Sequence, residues 1–182
     1  MSIDVSDKIK VWDPLVRTFH WTLVLGVFGA YFIERPRDLH EALGWLTAGA
    51  IGVRLIWGIV GAHYARFSQF VPGPARLVRY LADLVRGRET RHIGHNPAGG
   101  AMIILLICLL AAVTLTGWMM GQDAWFGEQW VEELHTLLAD GVMLCVALHV
   151  LGVIVASIRH GENLVRAMIT GYKKPPQAGD SA

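Results

Sequence analysis

The stretch V-E-E-L-H-T-L-L-A-D-G-V-M-L-C-V-A-L-H-V-L-G-V-I-V-A-S-I, residues 131–158, decides the fold of this chain. It is longer than the roughly 20 apolar residues that a helix needs to cross a bilayer. Its two histidines, His135 and His149, are fourteen residues apart. They therefore project from nearly the same helix face, about 21 Å apart along the axis at ~1.5 Å per residue. Because histidines inside membrane helices are costly and usually functional, the stretch predicts a membrane span that carries two functional imidazoles.

The rest of the sequence is consistent with an integral membrane protein. The 182 residues are 53% hydrophobic and only 17% charged, which is too apolar for an ordinary soluble domain. Four candidate spans follow from the apolar stretches: residues 16–33, 39–60, 98–120 and 131–158. We expect an all-α four-helix bundle that forms a single domain over residues 1–174, with a disordered tail at 175–182. The polar N-terminal segment lacks the apolar region of a cleaved signal peptide, so the first span is expected to be retained.

Basic residues predict the orientation of these spans. They concentrate before the first span, between the second and third, and after the fourth: Lys8, Lys10, Arg17; Arg66, Arg76, Arg79, Arg86, Arg88, Arg91; and Arg159, Arg166, Lys173, Lys174. The positive-inside rule therefore predicts that both termini and the long middle loop are cytoplasmic, in the inner membrane of a bacterium. Within that loop, residues 75–88 predict a short amphipathic helix on the inner membrane surface, although packing against the bundle would explain the same pattern.

Four histidines form two pairs of matching depth in this topology. His20 lies near the inner end of the first span, and His40 lies at the outer start of the second. Depth pairs His40 with His135 and His20 with His149. Two neutral imidazoles make a six-coordinate iron suited to electron transfer, so the pattern predicts two haems stacked across the membrane. One such histidine alone is more often structural; the matching depths favour the haem hypothesis.

Other residues are candidates for holding or accommodating the predicted haems. His160 is eleven residues beyond His149 and competes with it as the inner ligand. Arg17 and Arg54 are candidates for the haem propionates, although snorkelling to the interface explains Arg17 equally well. Several glycines would make room for a haem or serve bare helix packing: Gly26, Gly29, Gly44, Gly49, Gly52, Gly141 and Gly152. The two cysteines form no C-x-x-C-H motif, which excludes covalent c-type haem attachment.

Several motifs resemble those of one known family. They are V-W-D-P-L-V-R-T-F-H-W (11–21), H-E-A-L-G (40–44), R-L-I-W-G (54–58), A-R-F-S-Q-F (65–70), G-H-N-P-A-G-G (94–100) and H-G-E-N-L-V-R-A-M-I-T-G (160–171). In this order they resemble the prokaryotic cytochrome b561 and nickel–iron hydrogenase b-type cytochrome family. The resemblance implies a four-helix core with two b-type haems, and a quinone as exchange partner. The positions that match the family's ligands are His20, His40, His135 and His149.

The resemblance also suggests a quinone site on the cytoplasmic side. His95, Asn96 and His160 lie in two of the matching motifs, where imidazole and amide groups would bond the quinone oxygens. Helix capping by Asn96 and Asn163 is the alternative interpretation. The outer loops are short, so a large dedicated catalytic partner is less expected than the haems.

The predicted function is electron transfer in a respiratory chain, between a periplasmic redox partner and the quinone pool. A rival hypothesis is a superoxide oxidase, which would pass electrons from superoxide to quinone. Acidic residues outnumber Arg35 and Arg37 on the predicted outer side and favour a basic c-type cytochrome over an anionic substrate; they are Asp123, Glu128, Glu132 and Glu133. A haem-free channel that uses the histidines as proton relays is a third hypothesis. Membrane lipid surrounds the chain, a homodimer is plausible, and no nucleic-acid partner is expected.

Overall fold

The computed structural model describes residues 8–181, which are mostly helical. In chain order the elements are β1 (Ile9–Lys10), α1 (Pro14–Phe32), α2 (Arg37–Val60), a 3-10 turn (His63–Ala65), α3 (Phe67–Phe70), α4 (Pro74–Val85), α5 (Pro97–Met119), α6 (Gln129–Arg159), α7 (Leu164–Thr170) and β2 (Tyr172–Lys173).

Helices α1, α2, α5 and α6 are long and apolar enough to cross a membrane. Each end falls within two residues of the predicted boundary, so the four predicted spans are confirmed. The start of α1 is fixed by two neighbouring residues. The Asp13 side chain accepts a hydrogen bond from the Val16 amide at 3.0 Å, and Pro14 opens α1. A proline at the first helical position loses no intrahelical hydrogen bond, so the pair fixes where the helix starts.

The chain divides into two compact units. One unit comprises residues 18–56 and 104–148, and the other comprises the remaining segments. In the first of these, all four long helices pack around the buried side chains of Ile51, Leu110 and Val142. Helices α1 and α2 approach closely there, since a Cβ on Gly26 would lie 2.5 Å from Thr47 Oγ1. Gly26 therefore serves helix packing, which was one of its two predicted uses.

The other unit contains α3, α4, α7 and the two short strands. Strand β1 pairs antiparallel with β2, with Ile9 opposite Lys173. The Val11 and Trp12 amides both donate to the Gly171 carbonyl, at 2.9 and 3.1 Å. Gly171 has a φ of 89°, the left-handed conformation that ends α7 and that glycine adopts without strain. The segment before α1 is thereby bound to the segment after α7.

Helix α4 matches the predicted amphipathic helix and ends slightly earlier, at Val85. Gly87 follows with a φ of 65° and turns the chain. The Tyr80 side chain is buried, whereas Val78 and Val85 are 67% and 87% exposed. One helix face thus packs on the protein, and a neighbouring apolar face is exposed. Packing against the protein is thus seen for the face that carries Tyr80, and contact of the exposed face with the membrane surface stays a prediction.

A buried cluster of charges joins three segments of the same unit. The Arg91 guanidinium lies 3.0 Å from Glu162 and 2.5 Å from Asp180, and the Lys173 amine lies 3.3 Å from Glu162. All four side chains are at most 10% exposed. Burial alone would raise the pKa of the Glu162 carboxyl, but hydrogen bonds from Arg91 and from the Lys174 amide outweigh burial and hold the pKa below its ordinary value.

Residues 180 and 181 of the tail form hydrogen bonds and an ion pair, whereas the sequence predicted disorder for residues 175–182. The Ser181 amide donates to the Arg91 carbonyl at 2.9 Å, and the Ile93 amide donates to the Ser181 carbonyl at 3.0 Å. Together with the Asp180 ion pair, these contacts hold the tail against the loop between α4 and α5. The polar composition of the tail concealed this, because its partners are about ninety positions away in sequence. Residue 182 lies outside the described residues.

Candidate functional site

His40 and His135 lie close to each other within one unit. Their ring centroids are 6.2 Å apart, and the ring planes make an angle of 66°. A first-row metal bonds an imidazole nitrogen at about 2.0–2.1 Å, taking the value for zinc, and that nitrogen is about 1.1 Å from its ring centre. Two imidazoles on opposite sides of one metal would thus have centroids about 6.3 Å apart. The spacing of this pair fits a shared axial metal, and with it the haem predicted here.

His40 is oriented by helix α1. Its Nδ1 atom lies 2.9 Å from the Ala30 carbonyl oxygen. A carbonyl only accepts hydrogen bonds, so Nδ1 carries the proton and donates it. The lone pair of the neutral ring is then on Nε2, which is the state a metal ligand requires.

His135 is oriented by helix α5. Its Nδ1 atom lies 3.0 Å from the Thr116 hydroxyl, and the Thr116 side chain is buried at 4% exposure. The same hydroxyl lies 3.1 and 3.0 Å from the carbonyls of Ala112 and Val113, one turn earlier in the helix. With its single hydrogen on either of those carbonyls, the oxygen accepts from a protonated Nδ1 of the imidazole, which is the tautomer that a ligand bonding through Nε2 requires. In that tautomer the lone pair of His135 is also on Nε2.

Gly44 lies one turn after His40 on the same face of α2. No atom lies within 4 Å of the position that a Cβ on Gly44 would occupy, whereas a Cβ on Gly29 would meet the Leu43 side chain at 3.0 Å. The predicted set of glycines therefore divides. Gly26 and Gly29 allow close helix packing, whereas Gly44, Gly49, Gly52, Gly141 and Gly152 all have open space at the Cβ position, and of these Gly44 lies one turn from a candidate ligand.

The second predicted pair is described one residue at a time, because His20 and His149 belong to different units. His20 is half-buried in α1, and its ring meets Trp21 edge-on at 5.1 Å. His149 is half-buried in α6. Their pairing remains a prediction.

The two candidate arginines have different surroundings. Arg54 is only 4% exposed, and its guanidinium lies 5.4 Å from the centre of the Phe19 ring. Arg17 reaches the last turn of α7, where its Nη1 donates to the Ile169 carbonyl at 2.5 Å. That carbonyl is at the negative end of the α7 dipole, which gives Arg17 a structural role besides the predicted one. The Nε atom of Arg17 is buried without a hydrogen-bond partner, so the same side chain retains a donor for an anionic group.

The asparagines of the predicted quinone motifs cap helices. Asn96 Oδ1 accepts from the Gly99 amide at 2.7 Å at the start of α5, and Asn163 Oδ1 accepts from the Arg166 amide at 2.8 Å at the start of α7. The capping interpretation is thus correct for both side-chain oxygens. The cap at α5 does not use the amide nitrogen of Asn96.

The histidines of those motifs lie in different settings. The His95 ring lies between Trp12 and Phe70, with centroid distances of 4.5 and 4.6 Å. His160 follows the end of α6 and is half-buried, with its backbone amide bonded to Ala156. His95 is therefore packed against two buried aromatic side chains, whereas His160 lies at a helix end.

Sequence reasoning missed two polar contacts within the spans. Thr116 showed no signal, since nothing in the spacing relates position 116 to position 135. The second contact joins Tyr31 to Asp140, with the Tyr31 hydroxyl donating to the carboxylate at 2.9 Å. The Asp140 carboxylate in an otherwise apolar stretch is thereby hydrogen-bonded, which lowers the cost of keeping it in a span.

Comparison with known proteins adds a family and three relatives. The family model of prokaryotic cytochrome b561 matches residues 11–171. Three proteins named probable Ni/Fe-hydrogenase B-type cytochrome subunit are similar to the chain. That of Cupriavidus necator is 26% identical over 90% of this chain and 86% of its own length. That of Rhizobium leguminosarum bv. viciae is 26% identical over 91% of this chain and 89% of its own length. That of Bradyrhizobium diazoefficiens is 25% identical over 91% of this chain and 86% of its own length. No solved structure matches the chain significantly.

Proposed function

The chain belongs to the prokaryotic cytochrome b561 family, and from this we propose that it carries electrons across a membrane between an outer redox partner and the quinone pool. The family and the four apolar helices make it a multi-pass membrane protein, and a b-type cytochrome carries haem b. The number of haems, the orientation, the quinone and the outer partner are parts of the proposal.

The observation that carries the proposal is the His40–His135 pair. The ring separation of 6.2 Å suits one iron between them, and both Nδ1 atoms have hydrogen-bond partners that leave Nε2 as the ligand atom. When bound there, haem supplies a one-electron carrier. With a haem bound there, the two histidines would hold its iron, and an iron with two histidine ligands suits electron transfer rather than oxygen chemistry.

His20 and His149 are the proposed ligands of a second haem. Support comes from their matching depths in the sequence and from their agreement with the ligand positions of the family. Arg54 is the proposed propionate partner, since its buried charge is not explained by snorkelling from a helix end.

The proposed outer partner is a redox protein with a basic surface. The positive-inside rule places the loop between α5 and α6 outside. That loop and the first turn of α6 expose four carboxylates: Asp123, Glu128, Glu132 and Glu133. Two aromatic side chains beside them, Phe126 and Trp130, are 70% and 50% exposed. Acidic charge around exposed aromatic residues suits the docking of a basic c-type cytochrome, or of a hydrogenase as in the relatives' names, and repels the superoxide anion.

The proposed quinone site involves His95, the Asn96 amide nitrogen and His160, on the cytoplasmic side. The support is the resemblance of the two motifs that contain these residues to motifs of the family. We expect replacement of His95 to slow quinone reduction without loss of haem.

The test is a haem count with a redox titration of the purified protein. Two haems per chain and two low-spin waves are expected for the unmodified protein. His135→Ala and His40→Ala should each lose one haem and the same wave. His63→Ala is the matched control, because His63 is an exposed histidine in the turn after α2 and should leave both haems in place. Two haems in His135→Ala would contradict the outer pair.

A colourless unmodified protein, after haem supplementation during expression, would contradict the whole proposal and favour the relay channel. A second assay tests the rival hypothesis of a superoxide oxidase. Steady superoxide generation with quinone present should give no quinone reduction beyond the uncatalysed rate if the outer partner is a basic protein.

A further inference from the structure

We propose that Thr116 is a positioning residue that sets the electron-donor strength of His135, and so lowers the reduction potential of the haem that His135 binds. This inference rests on the proposed function. It concerns helix α5, which carries none of the four candidate ligands, and assigns that helix a role at the site.

The helix that carries Thr116 offers two carbonyl acceptors to its hydroxyl hydrogen, which allows the hydroxyl oxygen to accept from His135. The Thr116 hydroxyl lies 3.1 and 3.0 Å from the Ala112 and Val113 carbonyls, and 3.0 Å from Nδ1 of His135. The side chain is only 4% exposed. A hydrogen bond in so dry a place is electrostatically stronger than one in water, and each bond in such a chain polarises the next.

A hydrogen bond donated by Nδ1 makes Nε2 a stronger electron donor. The outer-shell partner of a ligating histidine fixes its tautomer and raises its basicity. A more basic ligand stabilises ferric over ferrous iron, which lowers the reduction potential. Removing the acceptor should therefore raise the potential of the haem at His135 and leave the other haem unchanged.

Gly117 provides a second contact from α5. A Cβ at position 117 would lie 3.2 Å from Cε1 of His135, so the glycine lets the imidazole lie close against the helix backbone. Thr116 and Gly117 together fix both the rotation of the ring and its distance from α5. Such two-point contact is what a well-oriented ligand requires.

The two ligands of this haem are supported by different chemistry. His40 bonds a backbone carbonyl, that of Ala30, which no substitution removes. His135 bonds the Thr116 hydroxyl, which a substitution can remove, in addition to a backbone hydrogen bond at Val113. Thr116 is thus the position at which a sequence change adjusts this haem without touching a ligand.

The experiment compares three variants of the full-length purified protein. Thr116→Val keeps the side-chain shape and removes the acceptor, and Thr116→Ser keeps the acceptor. Thr114→Val is the matched control, because the Thr114 hydroxyl makes the same kind of bond to its own helix, at 2.9 Å to Leu110 and 3.0 Å to Ala111. The readouts are the haem count, the two midpoint potentials and the low-spin electron paramagnetic resonance signals.

In Thr116→Val, we expect two haems per chain, a positive shift of one midpoint potential and a change in the signal of that haem alone. The shifted wave should be the one that His135→Ala removes. Thr116→Ser and Thr114→Val should both match the unmodified protein. If the valine variant does not accumulate, Thr116→Cys, whose thiol is a weak acceptor, is measured in its place with the same expectation.

Two unshifted waves in a Thr116→Val protein that holds both haems would overturn this inference and leave the proposed function standing. Equal shifts in Thr116→Val and Thr114→Val would overturn it as well, because the effect would then be a general one on α5. An unmodified protein without haem would overturn the proposed function and this inference together.

Discussion

Replacing Glu162 with glutamine tests how strongly the buried charge cluster holds the tail and loop together. Glu162 is 6% exposed and receives three donors: Arg91 at 3.0 Å, the Lys173 amine at 3.3 Å and the Lys174 amide at 2.7 Å. Glutamine has nearly the same shape without the charge. Removing one member of a buried ion pair typically costs about 3–5 kcal/mol.

Two features place the expected cost below that range. Arg91 keeps the carboxylate of Asp180 and the carbonyl of Lys174, and glutamine still accepts a hydrogen bond. We therefore expect a loss of about 2–3 kcal/mol in the free energy of local opening, which is about a 30- to 150-fold larger opening equilibrium constant.

Amide hydrogen exchange in detergent or nanodiscs measures this opening directly. The reporters are the Ile93 and Ser181 amides, whose hydrogen bonds join the tail to the loop at 3.0 and 2.9 Å. Both should exchange faster by the stated factor in Glu162→Gln. The control is Glu41→Gln, which breaks the exposed pair with Arg37, with side chains 52% and 61% exposed, and should cost less than about 0.5 kcal/mol. Unchanged exchange at Ile93 and Ser181 would refute the reasoning.

Three further predictions concern pH, helix packing and the amphipathic helix. The pKa of Glu162 is held below its ordinary value of 4.5, since its hydrogen bonds outweigh burial. The contribution of Glu162 to stability is therefore full above pH 4.5 and is lost as the pH falls through the lowered pKa of the folded state. Amide exchange in the tail, corrected for intrinsic rates, should accelerate only in that acidic range. Gly26→Val should cost about 1–3 kcal/mol because its Cβ would collide with Thr47 Oγ1, whereas Gly49→Ala, with no atom within 4 Å, should not lower the thermal midpoint. A nitroxide on Val78→Cys in α4 should be relaxed by oxygen more than by a water-soluble nickel chelate if the exposed face of that helix meets lipid; the reverse order would show that it faces water.

Much of the candidate site could be predicted from residue type and helical period. The spacing of His135 and His149 within one apolar stretch, and the location of His40 at the start of another, were enough to predict the pair that the structure brings to 6.2 Å. The support of that pair could not be predicted, because the Ala30 carbonyl and the Thr116 hydroxyl come from other helices and depend on how those helices are rotated. The asparagines show the opposite case: residue type permitted both capping and ligand binding, and local geometry assigned their oxygens to capping.

The sequence by itself determined the four spans, their approximate ends and the identity of the membrane histidines, because apolar length and helical period are local properties of the chain. Only the tertiary structure decided which glycines are used for helix packing, which hydroxyl orients His135, and that the tail binds the loop through Arg91 and Asp180. The physical reason is the range of the interactions. Apolar length and periodicity can be read from the sequence of one helix. A hydrogen bond or ion pair between distant segments depends on how those segments pack to within a few ångströms, which the sequence of neither segment specifies alone.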